Sequence, residues 1–142
     1  MDAMQAAGAM LEQLDSVALS SVTEDGYPCI REMSFEAHDG LREFWFTSKR
    51  ATDKVRQYRA DPRAGVGFCV EDDGVSLLGR VEIVEDLERK RAIWPEKRFV
   101  EDENGPVYCL LRFVSERGKA YLDGGFTQLE FEGPGREADE LE

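Results

Sequence analysis

The chain has a single histidine, His38, in 142 residues. That scarcity removes Ser–His and Cys–His nucleophilic chemistry, because such pairs need their base on a supported wall. His38 instead falls in a turn-like stretch, Ala37-His38-Asp39-Gly40. Zinc lacks ligands too. The three cysteines, Cys29, Cys69 and Cys109, are far apart and form no C-x-x-C pair. Each sits in an apolar, strand-like setting, as small buried hydrophobes do in a reducing compartment. No apolar run approaches the length of a membrane span. The opening stretch, MDAMQAAGAMLEQLDS, has no basic region and carries Asp2 and Glu12, so it does not read as a secretory signal. The expectation is a cytoplasmic protein with no membrane partner. There is no repeat of solenoid period and no domain linker.

Positive charge is also in short supply. Thirty acidic side chains outnumber eighteen basic ones, for a formal charge of −12. Such a field repels nucleic-acid backbones at long range and argues against a nucleic-acid partner. At this length, with 42% hydrophobic and 34% charged residues, the composition describes one soluble globular domain.

Against that background, residues 49–63, KRATDKVRQYRADPR, carry the opposite sign. Lys49, Arg50, Lys54, Arg56, Arg59 and Arg63 face only Asp53 and Asp61, and the segment sums to +4. It follows an aromatic run, Phe44-Trp45-Phe46-Thr47-Ser48. A strand that delivers the chain into a basic, hydroxyl-containing helix start makes an anion cradle. Backbone N–H groups point outward there, the macrodipole favours negative charge, and a lysine adds a mobile point charge. A bound phosphate is the expected anion. The competing use of this segment is a solvated helix face paired with neighbouring carboxylates.

The rest of the chain alternates short strands with a few helices. Met4, Ala7, Met10, Leu11 and Leu14 recur at helical spacing and predict a helix over 3–14. Strands are predicted over 17–24, 27–37 and 41–48, with Asp25-Gly26 and Asp39-Gly40 as the turns between them. Phe44 and Phe46 share one strand face and Trp45 takes the other. The basic helix covers 51–60 and ends at Asp61-Pro62, because the residue before proline disfavours the helical region. Strands 64–71 and 75–85 follow, and Gly79 marks a bulge or a close backbone approach. Asp86 caps a helix over 87–94 that Pro95 breaks. After a polar loop, 95–106, strands 107–114 and 119–125 are joined at Glu116-Arg117-Gly118, and 126–132 forms a last short strand. The fold class is therefore mainly β with peripheral helices. It is a small antiparallel barrel of six to eight strands occupying residues 1–132, with an acidic, frayed tail at 133–142.

The order and spacing of five stretches resemble a known family. They are Asp25-Gly26-Tyr27-Pro28, Phe44-Trp45-Phe46-Thr47-Ser48, Thr52-Asp53-Lys54-Val55, Asp61-Pro62-Arg63, and Leu78-Gly79-Arg80-Val81-Glu82 followed by Glu85-Asp86. Over roughly residues 10–123 the chain is similar to the pyridoxamine 5′-phosphate oxidase-like FMN-binding split barrels, and within them to the general-stress-protein branch. The resemblance implies a homodimer with FMN in grooves at the subunit interface. It implies that Arg31 reaches the phosphate and that the stretch Arg31, Glu32, Met33 and Ser34 runs beside the flavin ring, its backbone bonding the pyrimidine edge. Phe46 and Thr47 would contact ring and ribityl, and Thr52 and Lys54 would bind the phosphate. The last pair is where the charge pattern had already put an anion.

Departures and competing uses stand beside this. Relatives that oxidise pyridoxine phosphates tend to have a basic residue before the helix lysine, where this chain has Asp53, with Arg31, Lys49 or Arg50 left to compensate. A glutamine expected near the start of the fifth strand gives way to Gly74 or its neighbours. The C-terminal tryptophan and Arg-x-His elements that handle the vitamin are absent, so vitamin B6 oxidation is not expected. Arg31 has a second use in a cross-strand ion pair with Glu43 or Glu36. Thr52 has one as a helix cap, and Trp45 and Trp94 have one in packing. Three functions follow. The first is a flavin-dependent oxidoreductase with a small-molecule electron donor and acceptor, its catalytic residues unassigned. The second is a non-catalytic module holding FMN, the deazaflavin F420 or haem. The third is a dimeric β protein whose site has decayed.

Overall fold

The computed structural model describes residues 1–132. The acidic tail expected at 133–142 lies outside the described residues. The chain opens with helix α1 (Ala3–Met10), capped by Asp2 in a reciprocal box with Gln5, and a 3₁₀ turn at Leu11–Gln13. Strands β1 (Ser16–Val22), β2 (Pro28–Ser34), β3 (Ala37–Asp39) and β4 (Glu43–Lys49) follow. Helix α2 (Asp53–Ala60) leads into β5 (Arg63–Val70) and β6 (Asp73–Val84). Helix α3 (Leu87–Ile93) starts on Asp86, whose carboxylate accepts from the Glu88 N–H at 3.0 Å.

The stretch read as a loop over 95–106 holds a 3₁₀ turn at Glu96–Arg98 and a two-rung hairpin of β7 (Glu101–Asp102) with β8 (Gly105–Pro106). Then come β9 (Tyr108–Leu122) and β10 (Gly125–Glu130). The expected break at Glu116-Arg117-Gly118 is instead the middle of one long strand. There β9 pairs Arg117 with Leu78 and Ser115 with Gly79, so Glu116 is an extra residue bulged out of the ladder. A bulge bends a strand without ending it, and that is why a turn-like sequence sits inside β9.

All ladders of the main sheet are antiparallel, in the order β2-β1-β5-β6-β9-β4-β3, with β10 added on β9. Alternation decides the faces. In β4, Phe44 and Phe46 turn inward and are fully buried, while Trp45 and Thr47 turn outward. The inner face closes over α1 and α2, with Ala7, Met10, Leu11, Val55 and Tyr58 packed against Leu19, Phe44, Phe46 and Phe113. A smaller apolar layer, Val84, Trp94 and Leu110 with Trp45 and Ile93, seats α3 on the outside.

The two ends of the sheet, β2 and β3, are consecutive in sequence, joined only through Phe35 and Glu36. The Phe35 N–H reaches back to the Asp15 carbonyl at 3.3 Å, and the Glu36 N–H reaches forward to the Trp45 carbonyl at 2.7 Å. The barrel therefore closes at that one point and stays open beside it. This is the mainly β split barrel that the sequence implied.

Curvature at the β6–β9 bulge depends on backbone contact. A Cβ on Gly79 would collide with the Val114 carbonyl, and one on Gly118 with the Ser76 carbonyl. Gly79 thus marks both a bulge and a close approach. Gly79→Ala should cost about 2 kcal/mol or more of unfolding free energy. Gly8→Ala, where nothing lies within 4 Å of the added carbon, should be neutral or stabilising. Urea denaturation of both variants checks the contrast.

Candidate functional site

Where the sheet edges part, an open groove of about 500 Å³ runs between β2 and β4. Met33 and Ser34 from β2 face Thr47, Ser48 and Lys49 from β4; Thr52 and Lys54 close one end, and Glu36, Arg98 and Tyr108 line the rest. Five residues singled out from the sequence thus meet on one surface: Met33, Ser34, Thr47, Thr52 and Lys54. Three others do not line it. Phe46 is sealed in the core, stacked on Phe44 with centroids 6.4 Å apart. The Glu32 carboxylate, on the exposed face of β2, accepts from the Ser16 hydroxyl at 2.7 Å. Arg31 lies behind the groove, donating to the Ser21 hydroxyl at 2.9 Å and the Cys29 sulfur at 3.0 Å.

Arg31 nonetheless acts on the closed end. Burial lowers the pKa of Lys54, and the neighbouring Arg31 guanidinium lowers it further. Neither cation is ion-paired among the described residues. The carboxylates suggested as partners for Arg31 are engaged elsewhere, Glu43 by Arg112 and Glu36 by Arg98. Tyr58, whose hydroxyl donates to the Ser20 carbonyl at 2.7 Å, backs the pair; burial drives its pKa well above the usual phenol value. Asp53 does not fill the corner either, since its carboxylate pairs with Arg56 and remains solvent-exposed.

The start of α2 completes the cradle. Thr52 occupies the cap position, yet its hydroxyl donates to the Lys49 carbonyl at 3.0 Å and takes no hydrogen bond from the first turn. Those first N–H groups lack a side-chain acceptor, the condition under which a helix start binds an anion. Arg50 stands one corner away, its Nη1 directed to the Pro106 carbonyl at 3.5 Å and its Nε buried without a partner. A phosphate monoester fits this donor set: paired cations, an uncapped helix start and adjacent hydroxyls, with no carboxylate in the corner.

The far wall carries a network that the sequence did not reveal. Trp94 Nε1 donates to the Thr47 hydroxyl at 2.7 Å. Thr47 donates to Glu36 Oε1 at 2.8 Å, and Arg98 Nη1 donates to the same oxygen at 2.9 Å. The Arg98 guanidinium lies 5.4 Å from the Tyr108 ring centroid. No local motif marks these residues, because Glu36 sits in a crossover and Arg98 in a polar stretch. Only the curl of the sheet brings them together. Among the described residues, no cluster of histidine, cysteine and carboxylates suits a metal ion, and no helix is long and apolar enough to cross a membrane.

Solved structures share this architecture. A protein related to general stress protein 26 of Bacillus subtilis, from Clostridium acetobutylicum and of the pyridoxinephosphate oxidase family, superposes with a TM-score of 0.76 at 24% identity, over 91% of this chain and 94% of that one. A pyridoxamine 5′-phosphate oxidase-related, FMN-binding protein from Nostoc punctiforme gives 0.65 at 13%, over 91% and 93%. A heme-binding protein from Mycobacterium smegmatis gives 0.72 at 16%, over 92% of this chain and 58% of that one. No curated protein matches the sequence. The family model for pyridoxamine 5′-phosphate oxidase matches residues 3–135, and with the open-sided barrel and its basic corner on view, the chain belongs to that family.

Proposed function

We propose that this protein binds FMN in the β2–β4 groove and serves as a flavin-dependent oxidoreductase. The observation that carries the reading is Lys54 on the groove, free of any ion pair among the described residues, at the uncapped start of α2, with the Arg31 guanidinium acting on it from behind. Lys54, the Thr52 hydroxyl and the first N–H groups of α2 would hold the phosphate, with Arg31 adding charge from behind. Met33 and Ser34 on the sheet edge, with Thr47 opposite, would flank the ring and ribityl. Bound FMN supplies hydride or electron transfer, and the protein's part is a shaped, positively charged groove. That division suits a chain with one histidine, which His38 spends on the Gly40 carbonyl at 3.2 Å in an exposed turn. Asp53 pairs with Arg56 and stays solvent-exposed, which supports a phosphate site despite the departure from a basic residue there.

The groove is open along one side, and a second copy of the chain is its proposed cover. Ile30 on edge strand β2, with Tyr27 beside it, exposes 68% of its surface, an apolar face suited to a homodimer. A second reading, a module that binds haem without turnover, is supported by the fold shared with the mycobacterial heme-binding protein.

Protein as purified should show the absorption bands of oxidised flavin, or acquire them on adding FMN. Lys54→Ala should weaken FMN about ten- to a hundredfold, the worth of a charge-assisted bond to phosphate, and Arg31→Ala, which removes charge from behind the groove, should weaken it less. Asp53→Asn should change affinity by less than about threefold, as for a screened surface charge. A haem spectrum with no FMN uptake would support the second reading, and elution at monomer size in gel filtration would remove the dimer.

The lowered pKa of Lys54 fixes the sign of the pH dependence. Its charged form grips phosphate, so FMN affinity should fall as pH rises through that pKa, earlier than an ordinary lysine would allow. Without ligand the sign reverses. The buried charge costs stability at low pH, and that cost is relieved as pH rises from the lowered pKa toward the usual lysine value. Fluorescence titrations and thermal melts across alkaline pH read the two trends.

A further inference from the structure

Glu36 and Arg98 present an acceptor and a donor side by side at the end of the groove away from the phosphate corner. Both hydrogen bonds to Glu36, from Thr47 and from Arg98, fall on Oε1, and Oε2 takes none among the described residues. The two side chains keep 28% and 27% of their surface exposed, and both line the groove. Both are also fixed. The Glu36 backbone is anchored by the 2.7 Å bond to the Trp45 carbonyl at the only link between β2 and β3. Thr47, itself oriented by Trp94, locks the carboxylate, and Arg98 is stacked on Tyr108. Thr47 has committed its one proton to Glu36, so that hydroxyl offers a ligand only a lone pair.

We propose that Glu36 and Arg98 read the imide edge of the flavin ring, the free carboxylate oxygen accepting from the ring N3–H and the guanidinium donating to an adjacent ring carbonyl. The inference rests on the FMN reading and adds a chemical selection to it. An imide offers N–H flanked by C=O, the complement of this acceptor–donor pair. FMN and deazaflavins carry that edge. Haem carries propionate carboxylates, which Arg98 would attract but Glu36 repels. The pair therefore selects a flavin-type ring over haem in a fold that accommodates both.

FMN and N3-methyl-FMN, which lacks the imide proton, separate the possibilities when titrated by fluorescence against the wild-type protein and Glu36→Ala. Wild type should bind FMN about ten- to a hundredfold tighter than the methylated flavin, the loss expected for a hydrogen bond to a charged group. Glu36→Ala should bind the two equally, which ties the preference to this side chain, and Glu36→Met, of similar length without the acceptor, should lose the preference too, which distinguishes a lost hydrogen bond from a methyl clash. Equal binding by wild type, or a preference that survives in Glu36→Ala, overturns the assignment while leaving FMN binding in place. Failure of wild type to bind FMN at all removes both this assignment and the flavin reading. Equal binding by wild type overturns the assignment without any variant, and Glu36→Met carries the test if Glu36→Ala fails to fold.

Discussion

Two positive charges held together at a half-buried corner cost free energy, and the fold maintains them there. Lys54 is partly desolvated, which disfavours its charge, and Arg31 disfavours it again. Carboxylates are abundant in a chain of net charge −12, yet each one near the groove is engaged elsewhere. Asp53 faces Arg56, Glu36 takes Arg98, Glu43 takes Arg112, and Glu32 takes the Ser16 hydroxyl. An arriving anion would relieve such a repulsion, which is the support for the proposed phosphate site.

The geometry that maintains the corner comes from the way the sheet closes. Strand β2 supplies Arg31 and β4 runs directly into α2 and Lys54, yet the two strands lie near opposite ends of the sheet order. The bulge at Glu116, beside Gly79, lets β6 and β9 bend between them. Phe35 and Glu36 then bridge the ends at a single point. Beside that bridge the edges stay apart, and the gap is the groove. Its two ends differ in chemistry: cations and helix N–H groups at one, a neutralised acceptor–donor pair at the other. A ligand with a phosphate tail and a polar heteroaromatic edge matches both.

Much of this was legible in the sequence. The +4 segment pointed to Lys49, Thr52 and Lys54, which the structure brings together on one groove. Period-two alternation set Phe44 and Phe46 against Trp45, and the Asp-Gly turns fixed the hairpins. Alternation put Phe46 on the face of Phe44, and the structure buries that face, so Phe46 does not line the groove as the resemblance implied. What stayed hidden was non-local. Glu116-Arg117-Gly118 has turn composition but bulges within β9, since pairing with β6 on one side and β10 on the other outweighs local preference. The Trp94–Thr47–Glu36–Arg98 network joins four separate segments, and no periodicity within any one of them encodes it.

The phosphate grip is tested most directly by comparing FMN with riboflavin, which carries the same ring and ribityl without the phosphate. In equilibrium titrations at low and high salt, FMN should bind about a hundredfold or more tighter than riboflavin at low salt, consistent with several charge-assisted contacts. Added salt should narrow that gap. Equal affinity for the two flavins, unchanged by salt, would contradict the central claim that the Arg31–Lys54 corner holds a phosphate.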